Sequence, residues 1–294
     1  MRLERFAFLI VLAVLACGPA PQEKAKKVKV VTTIGVLGDW ARQVGGERVQ
    51  VTSLLSGNES PHTYEAKPQD AARLAEADIL FRVGLGLEDW LDPVVENAGN
   101  RRLVTVDAAT GIADIIAGDA HDHGIGNPHI WLDPEYAKTA IGNLVRALVA
   151  ADPKGESLYR AREQAYSLRL DSVSAVIAAE AAGLSDRRFI SFHDAWSYFA
   201  RRFGYQIVAS IEPIPGQEPS AKELVRMVEL IRSRHVKVIT SEPQLPSALP
   251  DMLARETGIK VLVLNPLEAD SAGKVDYIRE LGRNAGALAA ALKD

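Results

Sequence analysis

Three of the six histidines in this 294-residue chain stand in short motifs dense in Pro, Asp and aromatic residues. They are Pro61-His62-Thr63-Tyr64-Glu65, Asn127-Pro128-His129-Ile130-Trp131-Leu132-Asp133-Pro134 and Ser191-Phe192-His193-Asp194-Ala195-Trp196. Neutral imidazole is the commonest transition-metal ligand, and three of them with one oxygen donor make a tetrahedral zinc set. More than sixty residues separate each histidine from the next, so only the tertiary fold can gather them. The remaining histidines carry less: His121 and His123 lie in a Gly-rich stretch, 118–126, that reads as a solvated loop, and His235 has no motif around it.

The same three histidines with an open fourth position would also describe a hydrolytic zinc site that activates water, which is the alternative reading. Other chemistry is poorly supported. Ser191, His193 and Asp194 are too close along the chain for a hydrolase triad, and no Gly-x-Ser-x-Gly elbow exists. No Gly-rich phosphate loop follows a strand at the required spacing. Cys17 is the only cysteine, so any metal must be held by nitrogen and oxygen.

Elements that could position these residues alternate along the chain. Short β-branched runs at 28–33, 49–53, 79–83 and 103–106 form one set, and runs at 189–192, 205–211, 236–241 and 260–264 form a second. Their apolar runs are too continuous for one-sided sheets and predict mainly parallel sheets covered by helices on both faces. The fold class is therefore α/β, with an N-terminal lobe (28–151) and a C-terminal lobe (184–294), each built on four strands. Between them, 152–183 carries Ala161, Ala165, Leu168, Ser172, Ala175 and Ala179 at spacings of three and four, beside Leu170, Val173 and Ile177. That predicts one long linking helix, about 40 Å from end to end.

Shorter helices have start signals at Pro68 and at Ser220-Ala221-Lys222-Glu223, a capping box. Ligands of open α/β sheets bind beyond the carboxyl ends of the strands. His62 and His193 fall in such positions, as do Glu242 and Asn265, and His129 lies in the irregular stretch before the helix that starts near Asp133-Pro134, so all could face one cleft. Trp90, Trp131, Trp196 and Tyr198 are expected to pack the cleft walls and helix faces, and Asp194 and Glu65 to accept the outward imidazole hydrogens.

The N-terminus predicts the compartment. Arg2 and Arg5 precede an apolar run, 6–15, well short of the roughly 20 residues a membrane span needs, so residues 1–16 read as a signal peptide. Cys17 follows as in a bacterial lipobox and would carry a lipid, with 17–27 as a tether. Removing residues 1–16, with two Arg and one Glu, takes the formal charge from −4 to −5. No basic surface points to nucleic acid.

Taken together the motifs resemble the metal-binding receptors of bacterial zinc and manganese ABC importers. The likeness covers nearly the whole chain: the lipobox, Pro61 to Glu65, Gly84-Leu85-Gly86-Leu87-Glu88-Asp89-Trp90-Leu91, Asn127 to Pro134, His193-Asp194-Ala195-Trp196-Ser197-Tyr198-Phe199, and Asn265-Pro266-Leu267. The resemblance implies two lobes bridged by one backbone helix, with metal in the cleft. It implies a monomeric, membrane-anchored lipoprotein, periplasmic or on the cell surface, that passes its metal to a permease.

On that resemblance His62, His129 and His193 match the three histidine ligands. His193 stands where manganese-preferring members place a carboxylate, so Zn2+ is expected over Mn2+. The usual fourth ligand is an Asp opening an Asp-Pro-Leu segment, and Asn265 replaces it. Three imidazoles and an amide would leave the site at +2, costly in a cleft of low dielectric. Water, or Glu65, Glu242 or Asp270, is therefore expected to complete the set, with Asn265 a weak or outer partner or a cap of the following turn.

Overall fold

The structure, a computed structural model, describes residues 26–56, 59–117, 126–212, 216–244, 248–268 and 275–293. Cys17, the His121 and His123 loop, and Asp270 lie outside the described residues.

Two four-stranded sheets form, and every pairing in both is parallel. The first holds β1 (Val28–Thr32), β2 (Val49–Ser53), β3 (Ile79–Arg82) and β4 (Val104–Asp107) in the order β2-β1-β3-β4. The second holds β5 (Arg188–Ser191), β6 (Gln206–Ser210), β7 (Val238–Ser241) and β8 (Lys260–Val263) in the order β6-β5-β7-β8. The two orders are the same pattern run twice. Each therefore has one crevice where the connections part in opposite directions, between β1 and β3 in one sheet and between β5 and β7 in the other. Val30, Val31, Ile79, Leu80 and Phe81 on the first sheet, and Phe189, Ile190, Val238 and Ile239 on the second, are buried as covered parallel strands require.

Helices α1 (Gly35–Gly45), α2 (Pro68–Ala75), α3 (Leu91–Ala98) and α4 (Pro134–Ala151) accompany the first sheet. The second has α6 (Ser197–Phe203), α7 (Ala221–Arg234), α8 (Ala248–Thr257) and α9 (Tyr277–Lys293). The start signals work as read: Ser220 and Glu223 close a reciprocal capping box on α7, and Pro68 opens α2. No helix among the described residues is long and apolar enough to cross a membrane.

Between the two sets runs α5 (Glu156–Ala182), 27 residues long. It starts later than the sequence predicts, because Asp152 ends α4 and Pro153–Gly155 makes a separate 3-10 turn. Proline fits a first turn but cannot continue a helix already under way. α5 packs on α1 and α4 of the first set and on α9 and α6 of the second. Its inward face is Tyr159, Tyr166, Leu170, Ile177 and Ala181, whereas Ala161, Ala165, Leu168, Ser172, Ala175 and Ala179 face solvent. Alanine favours the helix through its low entropy cost, and bulk fills the core.

The strut is pinned along its length. Arg48 forks onto Asp152 at 2.6 and 2.7 Å, and the Tyr159 hydroxyl donates to the same carboxylate. Further on, the Tyr166 hydroxyl and the backbone N–H of Tyr277 both donate to Asp39 Oδ2, so one buried carboxylate joins α5, α9 and α1. Burial raises that carboxyl above its ordinary range despite these donors.

Candidate metal centre

Four loops leave the carboxyl ends of β2, β4, β5 and β8 and deliver His62, His129, His193 and Glu268 to one point. Their nearest nitrogen and oxygen atoms all lie within 4.8 Å of one another. His129 Nε2 is 3.1 Å from His62 Nε2 and 3.0 Å from His193 Nε2. Glu268 Oε1 is 3.4 Å from His129 Nε2 and 3.7 Å from the Nε2 of both other histidines. With zinc–nitrogen bonds of about 2.0–2.1 Å, the corners of a tetrahedron stand about 3.3 Å apart. These separations bracket that value.

Hydrogen bonding fixes the tautomers. Asn127 Oδ1 accepts from both the backbone N–H and Nδ1 of His129, at 3.0 and 2.9 Å. The Asn127 amide is oriented by its donations to the carbonyl and Oδ2 of Asp194, so its oxygen must face His129. His193 Nδ1 donates to Glu242 Oε1 at 2.7 Å. Both rings thus turn Nε2 inward, that of His129 as a free lone pair. Glu268 Oε1 is buried and accepts no hydrogen bond among the described residues. Converging lone pairs and an unpartnered carboxylate oxygen repel unless a cation or proton lies among them, and a divalent ion fits that donor set.

The electrostatics set the two rings apart: without a metal His129 stays neutral, whereas His193 holds a second proton, on Nε2, that an incoming cation must displace. Burial pushes His129 down to about 3, overcoming the pull of Glu268. Burial also lowers His193, but the adjoining Glu242 carboxylate outweighs it and leaves the ring at about 9. Burial alone would raise Glu268; its contacts with His129 and His62 reverse that and hold it well below the usual carboxylate range. Glu242, at the β5/β7 crevice, is raised by burial.

The surroundings hold these groups in place. Trp90 donates its indole N–H to the Pro61 carbonyl, fixing the turn before His62. Trp131 and Tyr198 are fully buried, and the Tyr198 hydroxyl donates to the Asn127 carbonyl at 2.7 Å. Glu268 belongs to the second lobe by sequence yet is fastened to the first: the Gly35 N–H at the start of α1 donates to its carbonyl at 2.8 Å.

The fourth group differs from every candidate the sequence suggested. Glu65 is exposed, Glu242 is taken up on the outer nitrogen of His193, and Asp270 lies outside the described residues. Asn265 caps a turn: its Oδ1 accepts the Leu267 N–H at 2.8 Å, and Leu267 adopts φ 68, a left-handed conformation unusual for leucine. That turn aims Glu268 back into the cleft. Glu268 supplies the negative charge that three imidazoles and an amide lack, from a position three residues beyond Asn265. Neither expected outer acceptor takes an imidazole hydrogen: His129 gives its to Asn127 and His193 to Glu242, while Asp194 accepts from the Asn127 amide and Glu65 is exposed.

Two α/β lobes on one strut, with a histidine and carboxylate cage between them, define a solute-binding protein of metal transport. The chain belongs to the family of the zinc-uptake complex component A, periplasmic (ZnuA), which matches residues 30–291. It is similar to the high-affinity zinc uptake system protein ZnuA of Bacillus subtilis (strain 168), with 30% identity over 94% of this chain and 93% of that protein. Among solved structures, a ZnuA deletion mutant with zinc bound aligns at a TM-score of 0.82 and 30% identity, over 92% of this chain and 99% of that one. FpvC from Pseudomonas aeruginosa in complex with Mn2+ aligns at 0.80 and 27% identity, over 91% of this chain and 99% of that one. Such proteins are receptors, not enzymes.

Proposed function

We propose that this chain captures Zn2+ outside the cytoplasmic membrane through His62, His129 and His193 Nε2 and Glu268 Oε1, and hands it to the permease of an ABC importer. The observation that carries this is the convergence of three Nε2 atoms on Glu268 Oε1, an oxygen buried with no hydrogen-bond partner among the described residues. Zinc is favoured over manganese because three nitrogens and one oxygen at tetrahedral spacing suit Zn2+, whereas Mn2+ takes oxygen-rich octahedral shells. With Glu242 and Glu268 ionised, a divalent ion leaves the pocket neutral.

The hydrolase reading needed a vacant fourth position, and Glu268 fills it. In the same proposal residues 1–16 are removed, Cys17 carries the lipid, 17–27 forms the tether, and the lobes 28–151 and 184–294 flank the linking segment 152–183. The receptor works as a single copy. The name of one relative, the zinc-binding lipoprotein AdcA of Streptococcus pneumoniae, supports the anchor.

Metal analysis and titration of the mature protein should find one Zn2+ per chain, displacing Mn2+ in competition, and no stoichiometric binding in His129→Ala. A wild type that binds no zinc, or a His129→Ala variant that binds it equally well, would refute the proposal.

A further inference from the structure

Gln244 sits just beyond β7 and spans two carboxylates. Its Nε2 is 3.2 Å from Glu242 Oε2 and 3.2 Å from Glu268 Oε2. Both partners are acceptors only, so the amide nitrogen must face them and give one hydrogen to each. Each carboxylate uses its other oxygen on the metal centre: Glu242 Oε1 takes the His193 Nδ1 hydrogen, and Glu268 Oε1 faces the three Nε2 atoms. His193, Glu242, Gln244 and Glu268 thus form a continuous outer arc joining two of the four inward groups.

We infer that Gln244 sets the metal preference of the site by holding Glu268 Oε2 away from the ion, so that the carboxylate binds through one oxygen. This rests on the zinc-receptor function proposed above. A one-oxygen carboxylate with three imidazoles is four-coordinate and tetrahedral, the geometry of Zn2+. A carboxylate free to turn would offer both oxygens and raise the coordination number, toward the oxygen-rich, higher-coordinate shell that suits Mn2+. Nothing in the first set of contacts would have to change: the selectivity lies in the occupant of the second oxygen. Gln244 is a positioning residue, acting through Glu268.

The test compares wild type, Gln244→Ala and Gln244→Met by competing Zn2+ and Mn2+ against a chromophoric chelator, and records the visible absorption of the Co2+-substituted forms. Methionine keeps the length of the side chain and removes its two hydrogen bonds, so it serves where alanine loosens the loop. The expected result is a zinc-to-manganese affinity ratio at least tenfold lower in the variants, with a Co2+ band weakened as the site leaves tetrahedral geometry. Folded variants with the wild-type ratio and band would overturn the inference, and so would an equal loss for both metals. Failure of the receptor function itself would look different, since the wild type would then bind zinc no better than His129→Ala.

Discussion

Trp131 donates its indole N–H to the Pro266 carbonyl at 2.6 Å, and through that bond the segment bearing His129 holds the segment bearing Glu268. The Trp131 carbonyl in turn accepts the Tyr277 hydroxyl at the start of α9. Trp131→Phe keeps the buried ring and leaves Pro266 unpaired. Denaturant titration should show a loss of about 1–3 kcal/mol, and zinc titration a weaker site because Glu268 is less well placed. Undiminished zinc affinity would mean that the two loops hold their positions independently.

Glu268→Gln keeps shape and removes charge. In a buried site the attraction between carboxylate and dication is worth several kcal/mol, and at roughly 1.4 kcal/mol per decade zinc affinity should fall at least a hundredfold. Chelator competition reads this directly. A change of less than about tenfold would argue that Glu268 lies outside the coordination.

Zinc should also act as a clasp between the lobes. At a free concentration one hundred times its dissociation constant, a ligand bound only by the folded state adds about 2.7 kcal/mol. Calorimetry should find a higher Tm with zinc, reversed by EDTA, and no shift in His193→Ala. A metal-independent Tm in the wild type would contradict the site.

Glu88 provides a pH test away from the metal centre. It lies fully buried beyond β3, where Thr33 Oγ1 and the Val83 and Gly84 N–H groups donate to it. Burial pushes its carboxyl up to about 7 against those donors. The folded state therefore keeps a proton that the unfolded chain loses near pH 4.5, so this contribution is full below about 4.5 and is lost as pH rises through 7. It amounts to at most about 3 kcal/mol. The stability difference between wild type and Glu88→Gln should shrink or reverse across that window, and a difference constant with pH would show that Glu88 is already ionised at pH 4.5.

Much of this architecture is legible in the chain. Strand runs such as 28–33 and 260–264 give β1 and β8 to within a residue; the central β1 is largely apolar because both its faces are covered, and the edge strand β8 reads as a strand through its β-branched Val261 and Val263 although Lys260 and Val263 are exposed. The helix between the lobes is equally plain, though its inward face is not: spacing alone fits both the alanine stripe and the Tyr166, Leu170, Ile177 stripe, and only packing chooses between them.

The three histidines are readable because their motifs are dense and lie in loops, those of His62 and His193 following a strand. Glu268 is not, since Asn265 occupies the position at which the family resemblance places the ligand and the carboxylate stands three residues further on, past the left-handed Leu267. Asn127 was in view, as part of the His129 motif, without any sign that its amide would fix the ring. Gln244 had no local signature at all; its partners come from two separate loops.

Of the four inward side chains, His62 alone keeps appreciable contact with solvent, at 18% exposure against 4% or less for the others. Among the described residues the cage therefore meets solvent at the His62 corner, where Trp90 holds the turn at Pro61. The most exposed ligand is thus also the one whose backbone is tied down by a neighbouring indole, while the three buried side chains keep the rest of the cage shut away from water.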